Sequence, residues 1–238
     1  MKIVILQPTF LPWLGYFDLI DQSDIFVFLD SVQFNKRSWQ QRNKIKTPKG
    51  LEWVTIPVKV KGLSEQIIAE TILQDAPSFF SKVQNQLKFN YGNSPFFGSY
   101  FDSFLDAFHF GINQSNLCDL NINLILWFAE KLNIESQFIR SSEFDFLGQR
   151  SELLIEICDH FNSQDYLSPY GSKEYLIQDQ PLFEQAGISI SLHDYNHPKY
   201  NQLFPPFMEF ASVFDLLMNE GPISGEIICS GRSPSINL

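Results

Sequence analysis

The chain reads as an α/β protein of Rossmann-like type: a mainly parallel sheet with helices on both faces and a helical insertion. Three observations predict this. Two apolar, β-prone runs, MKIVIL at the start and DIFVFLD ending at Asp30, flank one helical stretch. Strand and helix patterns alternate again in the C-terminal part. Both early runs break into loops rich in ligand-recognising side chains, and in an open parallel sheet ligands bind at the carboxyl ends of strands.

The elements follow in order. The first strand breaks at Gln7-Pro8, and the loop QPTFLPWLGYF leads into a short helix opened by Gly15. A glycine at a helix start would let a ligand approach the free N–H groups there. After the second strand comes the polar stretch SVQFNKRSWQQRN, read as a loop. Leu51 to Val60 alternates like a strand, with Pro57 marking an edge or bulge, and Ile67 to Leu73 fits another short strand. Helical patterns fill about 77–90, 95–110 and 115–132, the third capped by Ser115 or Asn116. The phenylalanines of the second fall at helical spacing and suit a core or a helix seam; if exposed, they would make a partner surface for a homodimer. Ile134 to Ile139 reads as a strand, Gly148 to Phe161 as an amphipathic helix and Asp165 to Leu167 as a short strand. The loop SPYGSKEYL, a strand at Ile188–Asp194, a proline-rich loop and a helix at Phe210–Met218 complete the chain. With no repeat and no linker, residues 1–238 are expected to form a single α/β domain, with a helical subdomain at about 77–132.

Composition narrows the function. No run is long enough to cross a bilayer, and Met1-Lys2 leads straight into a strand, so a cytoplasmic protein with no membrane insertion is expected. A net charge of −10 argues against nucleic-acid binding. The charge is unevenly spread: between Ser31 and Leu63, 8 of the 17 basic residues face one acid, Glu52, which leaves −17 on the rest. A focused positive site on an acidic body suits a small anion such as phosphate. Cys118, Cys158 and Cys229 lack metal-type spacing and read as reduced, mostly buried thiols. His193 and His197 flank Asp194 and Tyr195 without a third ligand, so no metal is expected. No Walker loop or GxGxxG string calls for a cofactor.

The candidate site residues lie at strand ends. Gln7, Tyr16, Gln33 and Asn43 offer neutral hydrogen bonds, and Trp13 or Trp39 a stacking face. Lys36, Arg37 and Arg42 suit the anionic part of a ligand. Ser168, Gly171 and Tyr200 stand in the later loops. His197 or Asp30 is the candidate for proton transfer.

The strand-loop-helix-strand opening is distantly similar to the nucleotidyltransferase and pantothenate-synthetase-like superfamily. Where that superfamily carries two histidines, this chain has Trp13 and Tyr16. A closer match comes from LQPTFLPWLGYFDLIDQSD with FLDSVQFNKRSWQQRNKI, YLSPYGSKEYL, YNHPKYNQL and FDLLMNEGP. These strings resemble the WbqC-like family along the whole chain, although Pro169 follows Ser168 where a glycine is expected. The resemblance implies a role in bacterial surface polysaccharide (O-antigen) synthesis. The substrate would be a small phosphorylated or nucleotide-linked amino sugar, and the reaction acyl or aminoacyl transfer. Nucleotidyl transfer on the same fold, and a non-catalytic binding or scaffolding role in the polysaccharide assembly, are the alternatives.

Overall fold

The computed structural model describes residues 1–63 and 65–238. Its centre is a six-stranded sheet. β1 (Lys2–Leu6) pairs in parallel with β2 (Ile25–Phe28) on one side and β6 (Asp165–Pro169) on the other. β5 (Gln137–Arg140) extends the sheet beyond β2, and β7 (Ser189–His193) extends it beyond β6. A short antiparallel strand, β8 (Ile236–Asn237), closes the β7 edge. The spatial order is thus β5-β2-β1-β6-β7-β8. The chain winds outward from β1 to β5, then crosses to the other side of β1 and winds outward again. The sheet therefore has its topological switch point between β1 and β6.

Side chains on a strand point alternately to opposite faces, and both faces of this sheet are apolar. Ile3, Ile5, Ile25 and Val27 face α5 (Ser151–His160) and α6 (Lys173–Gln185), which contribute Ile157, Cys158, Leu176 and Phe183. Val4, Phe26 and Phe28 face the other way, into a larger cluster. That cluster includes Phe17 of α1 (Leu14–Asp21) and Phe214 of α7 (Val213–Glu220). It also takes in the helices of the middle segment, α2 (Ala76–Tyr91), α3 (Phe97–Asn113) and α4 (Leu117–Lys131). Phe101, Phe104 and Phe108 of α3 are buried there, so that face of the aromatic segment is core, while Phe110 is exposed. The cap of α4 is Asn116, whose side chain accepts from the backbone N–H of Cys118 and Asp119. A further short helix, α8 (Ser224–Ser230), packs against α1.

The structure corrects three expectations. The stretch read as one polar loop turns into a strand at its end, β3 (Arg42–Thr47), which forms an antiparallel hairpin with β4 (Gly50–Thr55). A run of five polar residues among six concealed a strand that pairs outside the main sheet. The expected strand at 67–73 is a 3-10 turn, Ile68–Glu70, flanked by isolated pairings. Its backbone N–H groups bond to the carbonyls of Val32 and Asp30 instead of to a neighbouring strand. Finally, a Cβ on Gly15 would lie 2.3 Å from the Trp13 indole, so Gly15 seats that ring rather than leaving room for a ligand.

Phe104 is fully buried and meets the rings of Phe108, Trp127, Phe128 and Phe214. Phe104→Ala is expected to lower stability by about 3–5 kcal/mol. The exposed Phe110→Ala should cost less than about 1 kcal/mol, both read from urea unfolding.

Candidate functional site

A cleft of about 630 Å³ opens at the carboxyl ends of β1, β6 and β7. It lies at the switch point, where departing loops on either side leave a crevice. The loop after β1 forms one wall, and its irregular backbone is held by side-chain amides. Asn43 Nδ2 donates to the carbonyls of Phe10 (3.1 Å) and Leu11 (2.8 Å). Asn121 Nδ2, from α4, donates to the carbonyls of Pro8 (3.2 Å) and Gln40 (2.8 Å). Gln40 Nε2 donates to Gln7 Oε1 at 2.7 Å, and the Phe10 N–H donates to the Trp39 carbonyl at 2.9 Å. The loops after β1 and β2 are thus tied together at one rim.

Gln7, Trp13, Tyr16, Trp39 and Gly171 all line the cleft. Tyr16 donates its hydroxyl to the Gln7 carbonyl at 3.1 Å. Burial pushes that hydroxyl well above its ordinary range, so it stays protonated. Trp13 is fixed by Gly15 beneath it and by Tyr195, His197 and Phe210 around it. A side pocket of about 380 Å³ shares Thr9, Trp13, Tyr16 and Trp39 with the cleft and adds Asn43, Lys44 and Phe210.

Other expected residues lie elsewhere. Lys36 and Arg37 are exposed and do not line the cleft, and among the described lining residues there is no lysine or arginine. Arg42 stacks its guanidinium over Trp53, 4.3 Å from the ring centre. Gln33 is exposed and pairs its backbone with Ile67. Ser168 is buried and accepts from Tyr166 at 3.3 Å. His197 stacks on Trp13 from outside the cleft lining, and burial lowers its pKa. Tyr200 is buried and donates to Asp215 at 2.7 Å. Asp30 is fully buried, and its carboxylate accepts from Ser141 Oγ (3.1 Å), the Ser142 N–H (2.9 Å), Ser142 Oγ (2.8 Å) and Arg140 Nε (2.8 Å). With both oxygens engaged, it ties β2 to the turn after β5.

The titratable array in the cleft joins His193, which the sequence offered only as a metal-ligand candidate beside His197, to partners it did not single out. His193 ends β7, lines the cleft and is 4% exposed. Its Nε2 lies 2.7 Å from Asp18 Oδ2, on the buried α1. Asp18 also accepts from Gln22 Nε2 (2.7 Å) and, on its other oxygen, from Arg232 Nε (2.9 Å). Arg232 reaches Asp21 as well. The guanidinium supplies the counter-charge that a buried carboxylate needs. A carboxylate accepting from Nε2–H leaves Nδ1 as the lone-pair nitrogen of a neutral imidazole. The one local signal for Asp18 is an acid set between Tyr16-Phe17 and Leu19-Ile20 in a helix. A carboxylate among apolar neighbours asks for a partner, but the partner is 175 residues away.

A family model described as the WbqC-like protein family matches residues 7–227. The uncharacterized protein Rv1507c of Mycobacterium tuberculosis is 33% identical over 221 residues, which span 92% of this chain and 94% of that protein. No solved structure matches.

Asp30→Ala strips five hydrogen bonds from a buried position, the fifth from the Cys118 thiol, and should cost about 2–4 kcal/mol in urea unfolding, with no change at the cleft. Asp215 offers a pH test. Burial raises its carboxyl from 3.8 to about 6, against the lowering effect of its hydrogen bonds. The folded state then holds this proton more tightly than the unfolded chain. That contribution is complete below the ordinary value and is lost as pH rises through the folded one. Melting temperatures from about pH 4 to pH 7 should therefore fall more steeply, or rise less, for the wild type than for Asp215→Asn.

Proposed function

The chain belongs to the WbqC-like protein family, and from that premise we propose that its cleft takes a nucleotide-linked amino sugar and that the protein transfers an acyl or aminoacyl group to the sugar's amine. The observation that carries this reading is His193, oriented by a buried carboxylate and lining an aromatic hollow without lysine or arginine among the described residues. Trp13 and Trp39 offer flat faces to a sugar ring or base, and Gln7, Thr9 and Ser38 offer hydroxyl and amide partners. Such walls recognise a polar, uncharged ring better than an anion. The family resemblance to surface polysaccharide proteins points to the same substrate class.

The amine attacks the carbonyl carbon of a thioester or ester donor. A C–N bond forms as the donor's C–S or C–O bond breaks. His193 Nδ1 takes the proton released by the attacking nitrogen and returns it to the leaving sulfur or oxygen. Asp18 holds the ring in the base-ready tautomer and stabilises the imidazolium, as carboxylate–histidine pairs do. Tyr16, kept protonated by burial, anchors the backbone of Gln7 at the rim.

Calorimetric titration with UDP- and dTDP-linked amino sugars tests the binding claim. Trp39→Ala should weaken the ligand by about 1–3 kcal/mol. With an acyl donor present, His193→Gln should lower turnover by about 10²–10⁴-fold while the sugar's affinity changes little. No binding by any amino sugar nucleotide would sink the substrate reading. Tight binding with full activity in His193→Gln would remove the base.

A further inference from the structure

Beside the cleft, the β3–β4 hairpin carries a second depression that differs from it in chemistry. Arg42, Lys44 and Lys46 alternate along β3 and so share one strand face. Lys44, Lys46 and Lys49 line a hollow of about 480 Å³, whose other side is the Pro205–Met208 segment. Its lining includes three lysines and, among the described residues, no acidic residue. The cleft shows the reverse, with Asp194 and no basic side chain apart from His193.

Lys46 is the informative member. It is 1% exposed, one of the largest fully buried side chains of the protein, and it lines the hollow. Its backbone is fixed from both sides, by pairing with Leu51 and by the Tyr91 hydroxyl 2.8 Å from its N–H. Neither the hydrogen bonds nor the ion pairs among the described residues give its Nζ an acceptor. Asp215 acts on it electrostatically from beyond ion-pair distance; its Oδ2 is engaged by Tyr200 and its Oδ1 has no donor among the described residues. A largely buried ammonium is stabilised further by a direct acceptor. An anion entering the hollow adds that acceptor to the more distant charge of Asp215, with Lys44 and Lys49 at the edge. Three lysines around one small hollow suit an anion with more than one negative charge and several oxygens.

The hollow adjoins the side pocket, which in turn adjoins the cleft. Lys44 lines both the hollow and the side pocket, and the side pocket shares Thr9, Trp13, Tyr16 and Trp39 with the cleft. We propose that Lys44, Lys46 and Lys49 form a phosphate-binding site that holds the diphosphate of the ligand whose sugar occupies the cleft. The anion site stands on the hairpin alone; the identity of the ligand as a sugar nucleotide rests on the reading of the cleft. The positive site is then the hairpin and not the exposed Lys36–Arg37 loop.

Inorganic pyrophosphate is the probe, titrated calorimetrically into the full chain. Saturable binding is expected that weakens as salt is added. Lys46→Met keeps the length and the packing of the stem but removes the charge, and should weaken pyrophosphate about tenfold or more. Lys49→Ser, an exposed turn position that leaves the fold alone, should weaken it severalfold and decides the matter if Lys46→Met does not fold. Trp39→Ala should leave pyrophosphate affinity unchanged while weakening the sugar nucleotide. Absence of saturable pyrophosphate binding, or equal affinity in wild type, Lys46→Met and Lys49→Ser, would overturn the site. Pyrophosphate binding that depends on the lysines, together with failure of every sugar nucleotide, would keep the anion site and discard the sugar.

Discussion

The constraint on which this molecule depends is the need to satisfy a buried, irregular backbone. The segment Pro8–Pro12 leaves β1 without entering a helix or a strand, yet Phe10 and Leu11 are fully buried. A buried carbonyl without a donor costs about 1–3 kcal/mol. Two asparagines meet that demand, one from the hairpin and one from α4. Because Asn121 also bonds the Gln40 carbonyl, the same amide sets where the second loop sits. The rim of the cleft is therefore rigid for the same reason that the loop can be buried at all. Leu11, at φ +42, is in the left-handed region, a strain that these bonds hold in place.

From that rim follows a division of labour by charge. The cleft is walled by Trp13, Trp39 and tyrosines, with one buried carboxylate–imidazole pair at its edge. The positive charge is displaced to the hairpin, where Trp53 holds Arg42 and Lys44 by ring stacking and Lys46 is buried.

The sequence and the structure agree where the information is local. The apolar runs at β1 and β2 have the length and composition of buried parallel strands, and the helices at 77–132 have the right period. Gln7, Trp13, Tyr16 and Trp39 could be placed at strand ends because a strand end is a feature of the sequence. Arg42 and Asn43 show the limit. They stand next to each other, both polar and apparently in a loop, but a strand begins at Arg42 and sends them to opposite faces. Asn43 turns inward to brace the first loop, while Arg42 lies on Trp53.

What the sequence by itself determined is the fold class, the strands and helices of the main sheet, and the family. These follow from periodicity and from short strings read one after another. What only the tertiary structure decided is which charged groups meet. Asp18 and His193 are 175 residues apart, Asp18 and Arg232 are 214 apart, and Asp30 finds Arg140 across 110. A side chain's partner across such distances depends on the sheet order and on the register of each strand, and periodicity carries neither.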